Sequence, residues 1–341
     1  MNTSDSAGFR SEPTAPRPDG SELAGLRRWG WWALGTAVAA WLLIVLGAVV
    51  RITGSGMGCG PDWPLCNGRV VPLMDLPTFI EWSHRMVAAG IGLMVAGVAA
   101  YAWWPGRGEG WRPYRRLSAG ALVLLVIQVL LGAVTVRLEL PPASVILHLG
   151  AAMCLLAVLL VGATLALSGR RMRVPDGPAR TGWMGAAGAL AVVLLGAFVA
   201  NLDAAPACQG FPLCNGSLFP GGDWRIQLHW GHRLSAYALV AWALYLPVWA
   251  GRARPGDPAA RRWAYTSAIL AVGQLAVGAA MVLEGLPGVL RAAHVAAGGA
   301  LFGSMVVLAT VVARPSAGTA SRSESRVRAP ATGEQPAGSV P

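Results

Sequence analysis

Apolar positions dominate this chain in long unbroken runs rather than in the two-residue alternation of a strand or the one-sided stripe of a soluble helix. Eight runs reach the roughly 20 residues that a bilayer crossing needs. They lie near 29–50, 78–104, 117–136, 143–168, 182–200, 226–250, 264–283 and 290–313. The pattern predicts an all-α membrane protein of eight transmembrane helices, four in each half. Residues 1–28 and 314–341 are rich in Pro, Ser, Gly, Ala and Arg, with little to bury, and read as disordered tails. No cleaved signal peptide is expected ahead of the first span, which is long enough to stay as an anchor.

The two halves repeat one another. LGAVV from Leu46, Cys59, PLCNG at 64–68 and EWSHR at 81–85 are answered by LGAFV from Leu195, Cys208, PLCNG at 212–216 and HWGHR at 229–233. The offset is 149 at the first cysteine, 148 at PLCNG and the His-Arg pair, and 146 for Gln128/Gln274, Gly132/Gly278 and His148/His294. A period near 150 residues is too long for a solenoid unit, so this is a duplicated domain. An even number of spans per repeat gives both copies one orientation. The expected organisation is two parallel-orientation four-helix bundles, 29–168 and 182–313, joined by a cytoplasmic linker over 169–181.

Composition agrees: 55% of residues are hydrophobic and only 13% charged, with a net charge of +11. All 27 basic residues are arginines, and 20 of them lie in the two tails and the loops after spans 2, 4 and 6, against nine acids there. The opposite side holds seven of each sign. The charge is therefore a topology signal that places both termini in the cytoplasm, and it argues against a nucleic-acid partner. Tryptophans such as Trp29, Trp31, Trp32, Trp103, Trp104, Trp224 and Trp249 sit near span ends, as an interfacial belt would. Cys59 with Cys66 and Cys208 with Cys214 fall in outer loops, where disulfides persist, and pairing within each loop is the simplest arrangement. Such bridges brace a loop; a redox-active first pair is the sharper alternative. Cys154, mid-span, reads as a packing residue.

All five histidines lie inside the repeat. Ionisable groups within membrane spans are costly and mark function. His84, His148, His232 and His294 each stand a few residues inside an inward-running span, at roughly 8–9 Å depth from the outer surface. Two imidazoles at one depth on two helices of a bundle suit a planar macrocycle, and heme is the leading occupant. Zinc or copper would call for more converging ligands; histidines serving only as interhelical polar contacts are the plainer reading. Arg85 and Arg233, next to histidines, match heme propionates, with snorkelling as the alternative. Arg51, Arg137, Arg225 and Arg291, at outer span ends, share that choice. Gln128 and Gln274 suit interhelical hydrogen bonds, though Gln128 could face substrate. The repeat breaks at Glu81, whose counterpart is His229. A carboxylate three residues before His84 shares its helix face and suits a general base or a stabiliser of positive charge; pairing with an arginine or water is the plain alternative.

RITGSGMGCGPDWPLCNG followed by EWSHR, with the second GFPLCNG and HWGHR, resembles the heme A synthase family over roughly residues 29–313. The resemblance implies oxidation of a methyl group of heme O to a formyl group by successive hydroxylations. It implies that His84 and His148 ligate substrate heme O, His232 and His294 ligate a heme b, Glu81 is the catalytic carboxylate, and Cys59 and Cys66 form the outer-loop pair. His229 is expected to line the second heme pocket or to bond a propionate. Heme O synthase, cytochrome oxidase assembly factors and an unidentified redox partner are the implied associates, in a bacterial cell membrane with the heme sites toward the outer face. A di-heme cytochrome b or quinol oxidoreductase would share the histidines but has no need of the Glu81 asymmetry. A two-repeat transporter would place its polar groups near the midplane instead.

Overall fold

A computed structural model describes residues 20–104, 106–168 and 177–313. Eight helices account for nearly all of it: α1 (Gly20–Ile52), α2 (Leu76–Ala102), α3 (Arg112–Arg137), α4 (Pro142–Ser168), α5 (Gly177–Asn201), α6 (Trp224–Ala253), α7 (Pro258–Leu283) and α8 (Gly288–Val312). Each is long and apolar enough to cross a membrane, and no strand occurs among the described residues, only two isolated bridges.

The helices run past the apolar cores on which the spans were placed, because their ends follow capping chemistry rather than hydropathy. Asp75 accepts the Thr78 amide at 2.8 Å at the start of α2, and Asp223 accepts from Arg225 and Ile226 at the start of α6. Asp257 does the same ahead of α7, with Pro258 in the first turn. The disorder expected through residue 28 does not extend to 20–28: α1 begins at Gly20. Leu26 and Trp29 are buried there, and a Cβ on Gly25 would meet Arg107 Nη1 at 2.9 Å, so this turn is packed rather than solvated. Helix α5 likewise takes in residues 177–181 of the expected linker. The tail segments 1–19 and 314–341 and the linker residues 169–176 lie outside the described residues.

Helix α1 packs on α2 and α4, and α3 on the same two; α5 packs on α6 and α8, and α7 on the same two. The halves meet through α1 on α8, α4 on α8 and α4 on α5. Helix α8 buries 78% of its most apolar stretch and α4 44%, against 17% for α3 and for α7. The inner walls of the molecule are thus α4 and α8, and the outer helices present their apolar faces to lipid. Across the seam the Trp41 indole donates to the Ala296 carbonyl at 3.0 Å. Gly299 lets it approach: a Cβ there would lie 2.9 Å from the indole. Nearer the ends of α1 and α5, Arg51 donates to Asn201 Oδ1 at 2.8 Å.

Candidate functional site

The two Pro-Leu-Cys-Asn-Gly segments fold alike for a local reason. Asn67 and Gly68 take φ of 50° and 72°, and Asn215 and Gly216 take 53° and 75°. Positive φ at both central residues defines the tight hairpin turn that Asn-Gly favours. Cys66 and Arg69 exchange backbone hydrogen bonds around the first turn, and Cys214 and Ser217 around the second. Each turn returns the chain to the earlier cysteine of its loop, so Cys59 bonds to Cys66 and Cys208 to Cys214. The predicted pairing is the observed one. Trp63-Pro64 and Phe211-Pro212 are both cis.

An arginine fastens each loop to the helix below. Arg85 Nη1 donates to the carbonyls of Asp62 at 3.1 Å and Leu65 at 2.8 Å. Arg233 Nη1 donates to those of Gly210 and Leu213, both at 2.8 Å, and its Nη2 to Cys208. The acceptors occupy matching places in the repeat. The other donors of Arg85 go to Glu81, Nε at 3.1 Å and Nη2 at 2.5 Å from Oε1. Both arginines, read from the sequence as propionate contacts or as snorkelling side chains, fasten the outer loops to the helices below.

Glu81 is buried and held from two sides. Besides Arg85 on Oε1, the Cys59 amide donates to Oε2 at 2.8 Å. An ionised carboxylate offers about four lone-pair sites. Three are occupied, and one on Oε2 remains for a proton or a reacting group. The carboxylate is therefore tied directly to the disulfide-bonded loop. In the second half His229, also buried, takes the Glu81 position, and its Nε2 lies 3.3 Å from Arg233 Nε. Arginine binding by a neutral ring nitrogen replaces the ion pair there, so the broken repeat is a change of charge within a kept architecture.

The four matched histidines enter from α2, α4, α6 and α8 at positions 84, 148, 232 and 294. Helices α2 and α4 both pack on α1 and α3, and α6 and α8 both on α5 and α7, so His84 and His148 belong to one bundle and His232 and His294 to the other. His84 Nδ1 and His232 Nδ1 are both buried without a hydrogen-bond partner. Their mates are fastened. The Gln128 amide nitrogen, oriented toward His148, donates to its carbonyl at 2.9 Å and reaches Nδ1 at 3.2 Å. Gln274 Nε2 lies 3.2 Å from both ring nitrogens of His294. The two glutamines thus make the interhelical contact expected of them.

Sequence reading missed the floor beneath these rings. A Cβ built on Gly47, Gly132, Gly196 or Gly278 would come within 3.3 Å of the neighbouring imidazole in every case. The signal was present, because all four glycines belong to the repeated motifs. Heme fits the donor set: imidazoles from two helices of each bundle, two of them with a buried ring nitrogen in want of a partner. No cluster of three or more His, Cys, Asp or Glu suited to a bare metal ion occurs among the described residues.

Comparison with known proteins agrees in direction and extent. Residues 30–306 match the COX15-CtaA family, described as cytochrome oxidase assembly protein. The chain is 33% identical over 288 residues to the heme A synthase of Alkalihalophilus pseudofirmus, covering 82% of this chain and 96% of that one. It is 32% identical to the heme A synthase of Bacillus licheniformis, covering 82% and 94%. With the heme A synthase of Symbiobacterium thermophilum it shares 36% over 252 residues, covering 71% and 81%.

Proposed function

The chain belongs to the COX15-CtaA family of cytochrome oxidase assembly proteins, and on that ground we propose that it is a heme A synthase, a multi-pass membrane enzyme of the oxidoreductase type. Its substrate is heme O, whose methyl group is oxidised to the formyl group of heme A by successive hydroxylations.

The observation that carries this reading is four histidines at matching places in the repeat, each close against a helix glycine, with a buried carboxylate near only the first pair. His84 and His148 hold the iron of heme O, and Glu81, one turn from His84 on the same face of α2, lies toward the reacting edge. The chemistry open to Glu81 is set by its bonds. Arg85 and the Cys59 amide fix the carboxylate in place, and the remaining lone pair on Oε2 accepts a proton or stabilises positive charge developing at the methyl carbon. Preorganisation of this kind costs no rearrangement at the moment of reaction. The apolar tail of heme O leaves between helices into lipid, which is why a membrane bundle suits this substrate.

His232 and His294 hold a resident heme b in the second half, with His229 neutral against Arg233. When bound, that group supplies one-electron transfer to or from the first half. The protein's part would be to hold it through His232 on α6 and His294 on α8. The halves act as two duplicated bundles of one orientation, both termini cytoplasmic and the heme sites toward the outer face. Poor solubility of free heme O favours delivery by direct contact with the enzyme that makes it.

Heme extraction tests this. Membranes that lack any other source of heme A, and that contain a heme O synthase, would carry either the wild type or Glu81→Ala. Heme A from the wild type, with heme O or a hydroxylated intermediate accumulating in the variant, is the expected result. Heme b alone from both would sink the synthase reading and leave an electron-transfer cytochrome.

A further inference from the structure

Glycine inside a helix is less favourable than alanine, so a glycine fixed at one spot on four helices calls for a reason. A Cβ on Gly47 of α1 would lie 3.2 Å from Cε1 of His84, and on Gly132 of α3, 3.3 Å from Cε1 of His148. On Gly196 of α5 it would lie 2.9 Å from Cε1 of His232, and on Gly278 of α7, 3.0 Å from Cε1 of His294. The ring atom met is the same each time. Real Cβ atoms rarely come this close to a neighbour, and these rings are held by short helical side chains in a packed bundle. Gly30 on α1 and Gly182 on α5 also make close approaches, to Ala166 and Ala309, but these are helix-packing contacts away from the histidines, and Gly35 on α1, Gly120 on α3 and Gly273 on α7 have nothing within 4 Å of such a Cβ.

We propose that Gly47, Gly132, Gly196 and Gly278 are positioning residues, each forming the notch that seats one imidazole and so fixes where its nitrogens lie. An alanine methyl at the notch would push the ring out of its seat, toward the space between the helices. The same relation, glycine on one helix and histidine on the next, runs through α1–α2, α3–α4, α5–α6 and α7–α8. The same glycine-to-histidine relation thus occurs twice within each half. The hairpins with long outer loops carry the histidines without a bonded Nδ1, and those with short loops carry the histidines held by glutamine. Every ring therefore has a glycine floor, whatever its other partner.

This inference rests on the heme reading, and the test separates the two. Wild type, Gly196→Ala, Gly35→Ala and Gly273→Ala would be purified in detergent with their heme, and heme per protein, the low-spin spectrum and the midpoint potential measured. The expected result is that Gly196→Ala weakens heme retention in the second half by about tenfold or more, as loss of a ligand-orienting contact does, with an altered spectrum or potential. The two control variants match wild type. A parallel pair, His232→Ala with and without Gly196→Ala, removes the ring and so the clash. If Gly196→Ala folds poorly, adding His232→Ala restores the folding of His232→Ala alone.

Wild-type heme content, spectrum and potential in Gly196→Ala would overturn the notch. So would poor folding of Gly196→Ala that persists once the His232 ring is gone. Absence of heme from the wild type would overturn the heme reading itself, and this inference with it.

Discussion

Arg85 grips Glu81 one turn away on α2, with Nη2 2.5 Å and Nε 3.1 Å from the same oxygen, while its third nitrogen holds the disulfide-bonded loop by two carbonyls. One side chain therefore sets both the carboxylate and the lid above it. Arg85→Ala leaves a buried carboxylate without its partner, a change that costs about 3–5 kcal/mol. Thermal unfolding in detergent should show a clear drop in midpoint. Arg233→Ala frees the second loop but strands no charge, because His229 replaces the carboxylate, so its midpoint should fall by less.

Glu81→Gln separates charge from shape. The amide oxygen can accept from Arg85 or from the Cys59 amide but not from both, so the thermal midpoint should fall while the heme b content of the other half stays near wild type. Heme A formation should fall by about 100-fold or more, the scale on which a positioned acid–base or charge-stabilising group contributes. Unchanged conversion in heme extracts would remove Glu81 from the reaction.

The Asn-Gly turns carry the loops. Alanine at Gly68, where φ is 72°, must adopt a left-handed conformation costing about 1–2 kcal/mol. Gly68→Ala should loosen the first loop, exposing the Cys59–Cys66 bridge to faster reduction in a timed thiol-labelling assay. Gly216→Ala, with φ 75° at the matching place, should do the same for Cys208–Cys214 and leave the first bridge unaffected.

Trp41 joins the halves by its hydrogen bond to Ala296, two residues after His294. Trp41→Phe keeps most of the ring but leaves the Ala296 carbonyl without that donor, for a loss of about 1 kcal/mol. Trp41→Ala also opens a cavity, for about 3–5 kcal/mol. The order wild type, Phe, Ala should appear in thermal midpoints; a Phe variant as damaged as the Ala variant would mean the hydrogen bond outweighs the packing.

Gln274 touches both ring nitrogens of His294. Gln274→Ala should weaken heme b retention by about 10–100-fold, read as heme lost on dilution or gel filtration. Gln128→Ala, at the equivalent place beside His148, should leave that retention unchanged and impair heme O conversion instead.

Much of this was legible in the chain because membranes simplify the code. Long apolar runs predict the eight helices, and two cysteine pairs in the repeat predict the two bridges. Family resemblance added roles to those residues. Helix ends were less legible: hydropathy stops where lipid stops, whereas α1 and α7 continue to Gly20 and Pro258 because packing and caps hold turns that lie outside the apolar core. That Arg85 and Arg233 fasten the outer loops was not legible. The spacing of Glu81 and Arg85, one turn apart, already allowed a pair, but nothing in the order of residues shows that loop carbonyls 20 and 23 positions away compete for the same guanidinium.

By itself, then, the sequence determined the solvent this protein folds in, its eight crossings, its duplication and the residue types that can meet iron. Those properties are sums over local composition and spacing, which need no knowledge of distant contacts. Only the tertiary structure decided which groups are already spent and which remain free. Arg85 is committed to Glu81 and a loop, three of the lone pairs on Glu81 are taken, and each imidazole rests on the backbone of another helix. Such assignments depend on distances between segments far apart in the chain, and a hydrogen-bonding group satisfied by one partner is lost to every other.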